Sequence, residues 1–387
     1  MIDISLVIPL YKCNRHIESL MNCVIGMFCC ADKAGISLEA IFINDYPEEI
    51  VNLRENAFSK RIKLINNKIN IGIHQSRVRG IKESSGTYVL MMDQDDFFCE
   101  NILVSQYQNI GEYDGIVCNA NWYYEEYNYY MKQYGEWCPI ESINNLERMV
   151  EVDDAIISPG HVLIKKRSIP EEWMNIVLKH QGCDDYLLWI MMLGSGCRFK
   201  FNPEQLFTHV VHDGNTSKNI VSMFESQNEV LAVALQKGFI QEKSYKIRIE
   251  RDNHIREKFS YKYQEIAELY GIWMHKIIKG CIIEKYINSI GIKEVIIYGW
   301  GMLGRELYLQ LRDSSCVSVR YIIDRNYVKY IGEMDFCSIE RVLSEKIRKE
   351  DTLIIVTMLG IADDVSRQLR DEYDLRTLTI HELICNL

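Results

Sequence analysis

The chain has 387 residues, 48% apolar and 25% charged, with 22 glycines and only 6 prolines, a composition that fits a globular protein of two to three domains and excludes long disordered tracts. Its 44 basic and 54 acidic side chains leave a net charge of −10, which excludes a generic nucleic-acid sleeve and removes nucleic acid from the expected partners. No apolar run reaches the roughly 18 residues of a membrane span, and Met1 to Tyr11 has neither a basic stretch nor a small-residue cleavage site.

In chain order, Ile4 to Pro9 reads as a buried strand, His16 to Phe28 has helical apolar spacing, and Leu38 to Ile43 is a second strand ending in Asn44-Asp45. A further helical pattern precedes a strand at Ile62 to Ile65. Ser76 to Ser84 then reads as helix, stopped by Ser85-Gly86. Tyr88 to Met92 is a fourth strand running into Asp93-Gln94-Asp95-Asp96. This alternation predicts a parallel sheet with helices on both faces, and such sheets bind ligands at the carboxyl ends of their strands, where Asp45 and the Asp93 cluster fall. Residues 97 to 220 are less regular, with a strand around Ala155 to Lys165 and a helix after Asp184. Residues 221 to 285 read as helical, and the mixed charge from Lys243 to Lys262 reads as a solvated helix face. A second α/β unit opens near Ile292, with strands Glu294 to Tyr298, Ser318 to Ile323 and Thr352 to Val356. The expected domains are thus 1–220, a helical linker 221–290 and a small unit 291–387. The 13 cysteines contain no CxxC pair and sit mostly in apolar strings such as Cys29-Cys30 and Cys118, which predicts reduced, buried thiols in a cytosolic protein.

Three carboxylates in four residues after a buried strand repel one another unless a cation intervenes. Mg²⁺ or Mn²⁺ accepts such hard oxygen ligands and leaves room for substrate phosphates, although a solvated acidic turn is equally compatible with the cluster alone. The surrounding blocks, over about residues 3 to 217, resemble the family 2 glycosyltransferases. These are Val7-Ile8-Pro9-Leu10-Tyr11, Phe42-Ile43-Asn44-Asp45, Asn70-Ile71-Gly72, Ser76-Arg77, Gly80-Ile81, and Gly86 through Asp96. Two departures stand out: Tyr46-Pro47 replaces the usual Gly-Ser, and Val78 replaces an Asn. The resemblance implies an α/β fold of the GT-A nucleotide-diphospho-sugar transferase type, followed by the helical linker and a small Rossmann-like domain. It implies that Asp45 hydrogen-bonds the nucleotide base, with Pro9 to Tyr11 lining the same pocket. It makes Arg77 a contact of the nucleotide or its phosphates, places Asp93 near ribose or metal, and makes Asp95 the main metal ligand with Asp96 beside it. Read as residues alone, Asp45 also suits a helix cap and Arg77 an ion pair.

Gly182-Cys183-Asp184-Asp185-Tyr186-Leu187-Leu188-Trp189 resembles the family's Glu-Asp-x-x-Leu-Trp block. The resemblance makes Asp185 the general base that takes a proton from the acceptor hydroxyl, while Asp184 also suits an N-cap. His209 to Ser217 resembles the closing segment, in which His212, three residues before Asn215, ligates the metal or touches the diphosphate. The pair His209 and His212 lacks the further ligands of a zinc site. Together these imply an inverting displacement, with a UDP-sugar as donor and a glycan or lipid-linked hydroxyl as acceptor. A lipid-linked acceptor implies peripheral contact at the inner face of the membrane, and a homo-oligomer is left open. His161 and the aromatic stretch Trp122 to Tyr130 lie where acceptor contacts are conceivable, though that stretch also suits an aromatic surface loop or dimer patch.

Gly299-Trp300-Gly301-Met302-Leu303-Gly304 follows a strand and opens a helix, with Asp324 ending the next strand, a dinucleotide fingerprint in its proper context. The unit from Ile292 to the end is short for a complete dinucleotide domain, so NAD(P) is not expected there, and the glycines then serve the turn and helix–strand packing. Two further readings stay open: a non-catalytic nucleotide-sugar-binding scaffold on the same fold, and a dinucleotide-binding activity centred on Gly299 to Gly304.

Overall fold

The computed structural model describes every residue except 1, 153, 213, 214, 216–218, 333 and 346, and the side chains of 220 and 256–264 are likewise left out. The chain divides into two units, Met1–Tyr123 with Lys132–Glu250, and Tyr124–Met131 with Arg251–Leu387.

In the first unit β1 (Ile4–Leu10) leads through α1 (Ile17–Lys33) to β2 (Leu38–Asn44), then to β3 (Ile62–Asn66), α2 (Gly72–Glu83) and β4 (Tyr88–Met91). These four strands are parallel, in the order β4-β1-β2-β3. All seven residues of β1 are buried, as expected of a strand covered on both faces. Its alternating side chains explain how. Ile4, Leu6, Ile8 and Leu10 pack with α1, while Val7 packs with Val78 and Ile81 of α2. The expected α/β layering with helices on both faces is present. The helix expected between Asp45 and Ile62 is not; apart from a 3₁₀ turn at Ser59–Arg61 that stretch is loop. Its start is anchored instead by Glu49, whose carboxylate accepts from the Cys13 and Asn14 amides at 2.9 and 3.2 Å.

The chain continues through β5 (Phe97–Phe98), α3 (Ile102–Asn109), β6 (Gly115–Tyr124), β7 (Tyr129–Lys132), α4 (Leu146–Glu151) and β8 (Val162–Lys165). The strand expected from Ala155 is thus confined to its last four residues, because the 3₁₀ turn Pro159–His161 precedes it. β8 inserts antiparallel between β4 and β6. After α5 (Glu171–Asn175) and α6 (Asp184–Gly194), β9 (Phe199–Val211) pairs with β5 and β6. α7 (Ile220–Gln236) completes this core with Val230, Leu231 and Ala234. α8 (Glu242–Ile278) begins against it, where Arg248 donates to the Val152 carbonyl at 3.0 Å. The charged run expected to be a solvated face is so only in part: the Glu242–Lys246 pair is exposed, but Arg248 and Asp252 are buried.

In the second unit, α9 (Ile283–Ser289), β10 (Glu294–Tyr298), α10 (Met302–Leu311), β11 (Ser318–Ile323), β12 (Tyr330–Gly332), β13 (Phe336–Cys337), α11 (Ile339–Ser344), β14 (Thr352–Val356), α12 (Ala362–Tyr373), β15 (Thr377–Thr379) and α13 (Ile380–Asn386) follow. Five of the strands form a parallel sheet in the order β13-β11-β10-β14-β15. Val295 and Ile297 face α9, α10 and α13, while Ile296 faces α12 and Val342 of α11. No described helix is long and apolar enough to cross a membrane. All 13 cysteines are free; Cys118 is buried, Cys29 and Cys30 are only partly so, and Cys99, Cys316 and Cys385 are exposed.

Candidate active site

The first unit gathers its charged side chains at the carboxyl ends of β1, β2 and β4. Arg77, on the buried side of α2, is 4% exposed. Its Nη2 donates to Asp93 Oδ1 at 2.7 Å and its Nη1 to Asp184 Oδ2 at 2.8 Å. One guanidinium therefore ties the turn after β4 to the first residue of α6. Burial opposes charge on Arg77, but Asp184, Asp93 and Asp185 outweigh it and hold it protonated. Its Nε is buried without a protein partner among the described residues. Asp184 is 2% exposed and follows the N-cap Cys183, so its carboxylate serves Arg77 and does not act as the cap.

Asp185, next on α6, is half-buried. Its Oδ1 accepts the Tyr186 amide at 2.9 Å. Burial, with Asp184 and Asp93 adding repulsion and Arg77 opposing them, pushes this carboxyl up to about 7. Of the three carboxylates around Arg77 it is the one without a hydrogen bond to a side chain among the described residues.

The remaining carboxylates of the cluster separate. Asp95 Oδ2 lies 3.0 Å from His212 Nε2. Asp96 turns inward, where Oδ1 meets His209 Nδ1 at 2.8 Å and the Val210 amide at 3.0 Å. Its Oδ2 is buried with no partner among the described residues. Burial raises the Asp96 carboxyl to about 6, and His209 counters that rise. Burial works against charge on His209, yet Asp96 raises it overall. Trp122 meets the His209 ring edge-on at 5.0 Å. Of the four residues expected to hold a metal, the structure thus joins Asp95 and His212. Asp93 is engaged by Arg77 and Asp96 by β9. No group of three or more His, Cys, Asp or Glu converges among the described residues. A two-donor oxygen and nitrogen set still fits a Mg²⁺ or Mn²⁺ that takes its other ligands from water and phosphate. Of the closing segment, Asp213, Gly214, Thr216 and Ser217 lie outside the described residues. Asn215 lies within them, and its Oδ1 accepts the His212 amide at 2.5 Å.

Asp45 caps no helix directly after it; its carboxylate reaches the start of α2. Its Oδ1 accepts from Asn67 Nδ2 at 2.7 Å and the Ile71 amide at 2.8 Å, and its Oδ2 accepts from the Gly72 amide at 2.8 Å. The carboxylate thus holds the start of α2, as the helix dipole favours. Gly72 sits there at φ +82, the left-handed conformation glycine adopts without a Cβ penalty. Pro9 is buried in β1 opposite Ile43. Tyr11 is 45% exposed. Its backbone is clasped by Gln94, which accepts from its amide at 3.0 Å and donates to its carbonyl at 2.8 Å. The Tyr11 and Tyr46 rings meet edge-on at 5.2 Å, with Lys12 Nζ 5.3 and 5.2 Å from their centroids. Sequence reasoning missed Gln94 and Tyr46 as participants. Gln94 sits inside the carboxylate cluster, and Tyr46 is one of the departures from the family pattern. It also missed the roles of His209 and Asp184, although both stand in the quoted blocks.

His161 is fully buried, stacks on Phe207 at 5.3 Å, and is driven by burial down to about 3, so it is a neutral core side chain. In the second unit Tyr129 is 2% exposed and packs with Trp300, Tyr330 and Phe336. In the second loop, local geometry requires glycine at two of the three positions, Gly299 and Gly304. Gly299 has φ +110, and its carbonyl accepts from Thr357 Oγ1 at 2.8 Å. A Cβ on Gly304 would fall 2.0 Å from that same carbonyl oxygen, whereas Gly301 has open space. Asp324 Oδ1 accepts the Asn326 amide at 2.8 Å within its own turn.

Comparison with known proteins places residues 5–170 in the family model for glycosyl transferase family 2. Glycosyltransferase GlyG of Streptococcus pneumoniae serotype 4 is 26% identical over 181 residues, covering 43% of this chain and 58% of GlyG. Glycosyltransferase GlyA of the same strain is 22% identical over 260 residues, covering 62% of this chain and 36% of GlyA. The chain thus spans little more than half of one relative and about a third of the other. Among solved structures, S. aureus TarS 1–349 in complex with UDP-GlcNAc is 14% identical with a TM-score of 0.43, covering 64% of this chain and 71% of that one. A likeness at that level carries no argument about this chain.

Proposed function

We propose, from the match of residues 5–170 to the family model for glycosyl transferase family 2, that the protein moves a sugar from a nucleotide-sugar to a hydroxyl of a glycan or lipid-linked acceptor, with inversion and with a UDP-sugar as donor. The observation that supports this best is the Arg77 bridge, which joins the turn after β4 to the helix bearing Asp185. It sets a carboxyl pushed up to about 7 beside two carboxylates that one guanidinium binds. A hydroxyl is a weak nucleophile, so a base poised near neutral pH suits the task. Asp185 Oδ2 receives the acceptor proton, while Oδ1 stays on the Tyr186 amide.

Asp95 and His212 would hold a Mg²⁺ or Mn²⁺, which when bound neutralises charge on the departing diphosphate. Asp96 acts at one remove: by gripping His209 and the Val210 amide it fixes the end of β9 and so the approach of His212 to Asp95. Tyr11, held by Gln94, and Tyr46 provide an aromatic wall for the base. Asp45 positions α2 beside it, with three of its hydrogen-bonding directions already used. Arg77 is likewise a positioning residue for Asp185 rather than a phosphate ligand.

The test is transfer from a panel of UDP-sugars to glycan and lipid-linked acceptors, with wild type beside Asp185→Asn, and proton NMR of the product. Transfer with the anomeric configuration reversed, lost in the variant, supports the reading. Retained configuration overturns the single displacement, and full activity in Asp185→Asn overturns the assignment of the base.

A further inference from the structure

The last turns of α8 carry a second apolar face. Leu269 and Trp273 are each 2% exposed and pack with Ile283 and Ile287 in the core of the second unit. Beside them Met274 is 55% exposed, Ile277 42% and Ile278 77%, and Ile282, in the turn to α9, is 44% exposed. Met274, Ile277 and Ile278 lie in the last turn and a half of α8 and Ile282 in the turn that follows, so the exposed residues form a corner rather than scattered side chains. Contiguous exposed apolar surface of this kind marks an interaction site.

The charges around it favour one occupant. Between Gly271 and Tyr286 the chain has Lys276, Lys279 and Lys285 against Glu284 alone, although the whole chain carries −10. Glu265 and Glu268 lie on earlier turns. Lys276 donates to the Cys385 carbonyl at 3.1 Å, while Lys279 and Lys285 are exposed. An isologous contact with a second copy would bring equivalent basic corners together, whereas anionic headgroups neutralise them.

We infer that the corner between α8 and α9 seats this protein on an anionic lipid surface. Met274, Ile277, Ile278 and Ile282 enter the boundary between headgroups and acyl chains, and Lys279 and Lys285 extend to lipid phosphates. The inference is independent of the sugar-transfer reading, since vesicle binding needs neither donor nor acceptor.

The test is sedimentation of the full chain with vesicles of phosphatidylcholine alone or mixed equally with phosphatidylglycerol, at low and high salt. Wild type is expected to sediment with the anionic vesicles and to be released by salt. Lys279→Ala with Lys285→Ala should weaken binding roughly 25-fold, about fivefold per lysine. Ile277→Ser with Ile278→Ser should weaken it more than about tenfold. All four positions are exposed, so the variants should keep the wild-type melting curve, which circular dichroism checks. Absent binding, equal binding to both vesicle types, or variants that bind like wild type would each overturn the inference. So would a wild-type dimer in light scattering that becomes a monomer in the isoleucine variant, which would assign the face to a second copy.

Discussion

Replacing Arg77 by Met removes the guanidinium that bonds Asp93 and Asp184, at 2.7 and 2.8 Å, while nearly preserving side-chain bulk. Asp184 is 2% exposed and Asp93 has 24% of its side chain exposed, so water can relieve the second but not the first. Breaking a buried pair by removing one partner costs about 3–5 kcal/mol, and the loss should fall mainly on Asp184. The pH dependence sharpens the test. Asp185 titrates near 7, well above an ordinary carboxyl. Between about pH 4 and 7 the folded chain therefore keeps a proton that the unfolded chain has released. Its contribution is fully present below the unfolded value and is lost as pH rises through about 7, at about 1.4 kcal/mol per unit where the difference is complete. Arg77 opposes this rise, so its removal pushes Asp185 higher and deepens the loss at alkaline pH. Urea unfolding at pH 6 and pH 8 should show a larger deficit for Arg77→Met at pH 8. The pH–rate profile of sugar transfer should move its ascending inflection upward from about 7. Arg77→Lys, which keeps the charge but not the two-pronged reach, should recover part of both. Unfolding within about 0.5 kcal/mol of wild type at both pH values, or an unmoved inflection, would refute the reasoning.

Asp185→Asn should lower kcat by about 10²- to 10⁴-fold while leaving calorimetric UDP binding intact; a comparable loss of binding would mean that the residue holds the fold. Asp95→Ala should abolish the Mn²⁺ dependence of UDP binding that EDTA removes in wild type, and unchanged metal dependence would move the ion elsewhere. Asp96→Ala should weaken Mn²⁺ about 10- to 100-fold, as loss of a ligand's supporting partner does, and an unaltered Mn²⁺ titration would deny it that role. Gly304→Ala forces a Cβ against the Gly299 carbonyl and should destabilise the second unit by about 1–3 kcal/mol, seen as an earlier melting step with UDP binding unchanged.

The parallel sheet was legible because its strands are apolar runs ending in polar residues. β10, β11 and β14 have the bounds that apolar content alone suggests. The loop after Asp45 was misread because its apolar spacing imitates a helix while Glu49 ties it to the amides after β1. In the site, residue types and their order showed where charge collects but not how it pairs. Asp93, Asp95 and Asp96 are nearly adjacent in sequence, yet they face Arg77, His212 and His209 respectively. That partition depends on where α2 and the end of β9 arrive, 16 to 117 residues away along the chain.

The aromatic stretch shows the same limit from another direction. Trp122 to Tyr130 reads either as a platform for sugar rings or as an aromatic surface loop or dimer patch, yet a boundary between compact units falls after Tyr123. Trp122 stays with the first unit, half-buried, its ring meeting His209 and its Nε1 donating to Gln133 at 2.7 Å. Tyr129 to Met131 instead pair antiparallel with Tyr330 to Gly332, and Tyr129 is buried against Trp300. A ring can serve as a sugar platform only if a face is open to solvent, and Tyr129 has given its faces to Tyr124, Tyr330 and Phe336. The same fact bears on the glycine loop. Trp300, between Gly299 and Gly301, is 5% exposed within that aromatic cluster. Two features that stand far apart in the sequence, part of the aromatic stretch and the Trp of the glycine loop, thus share one packed cluster in the second unit. Its glycines answer to backbone geometry and to the room that Gly304 must leave for the Gly299 carbonyl.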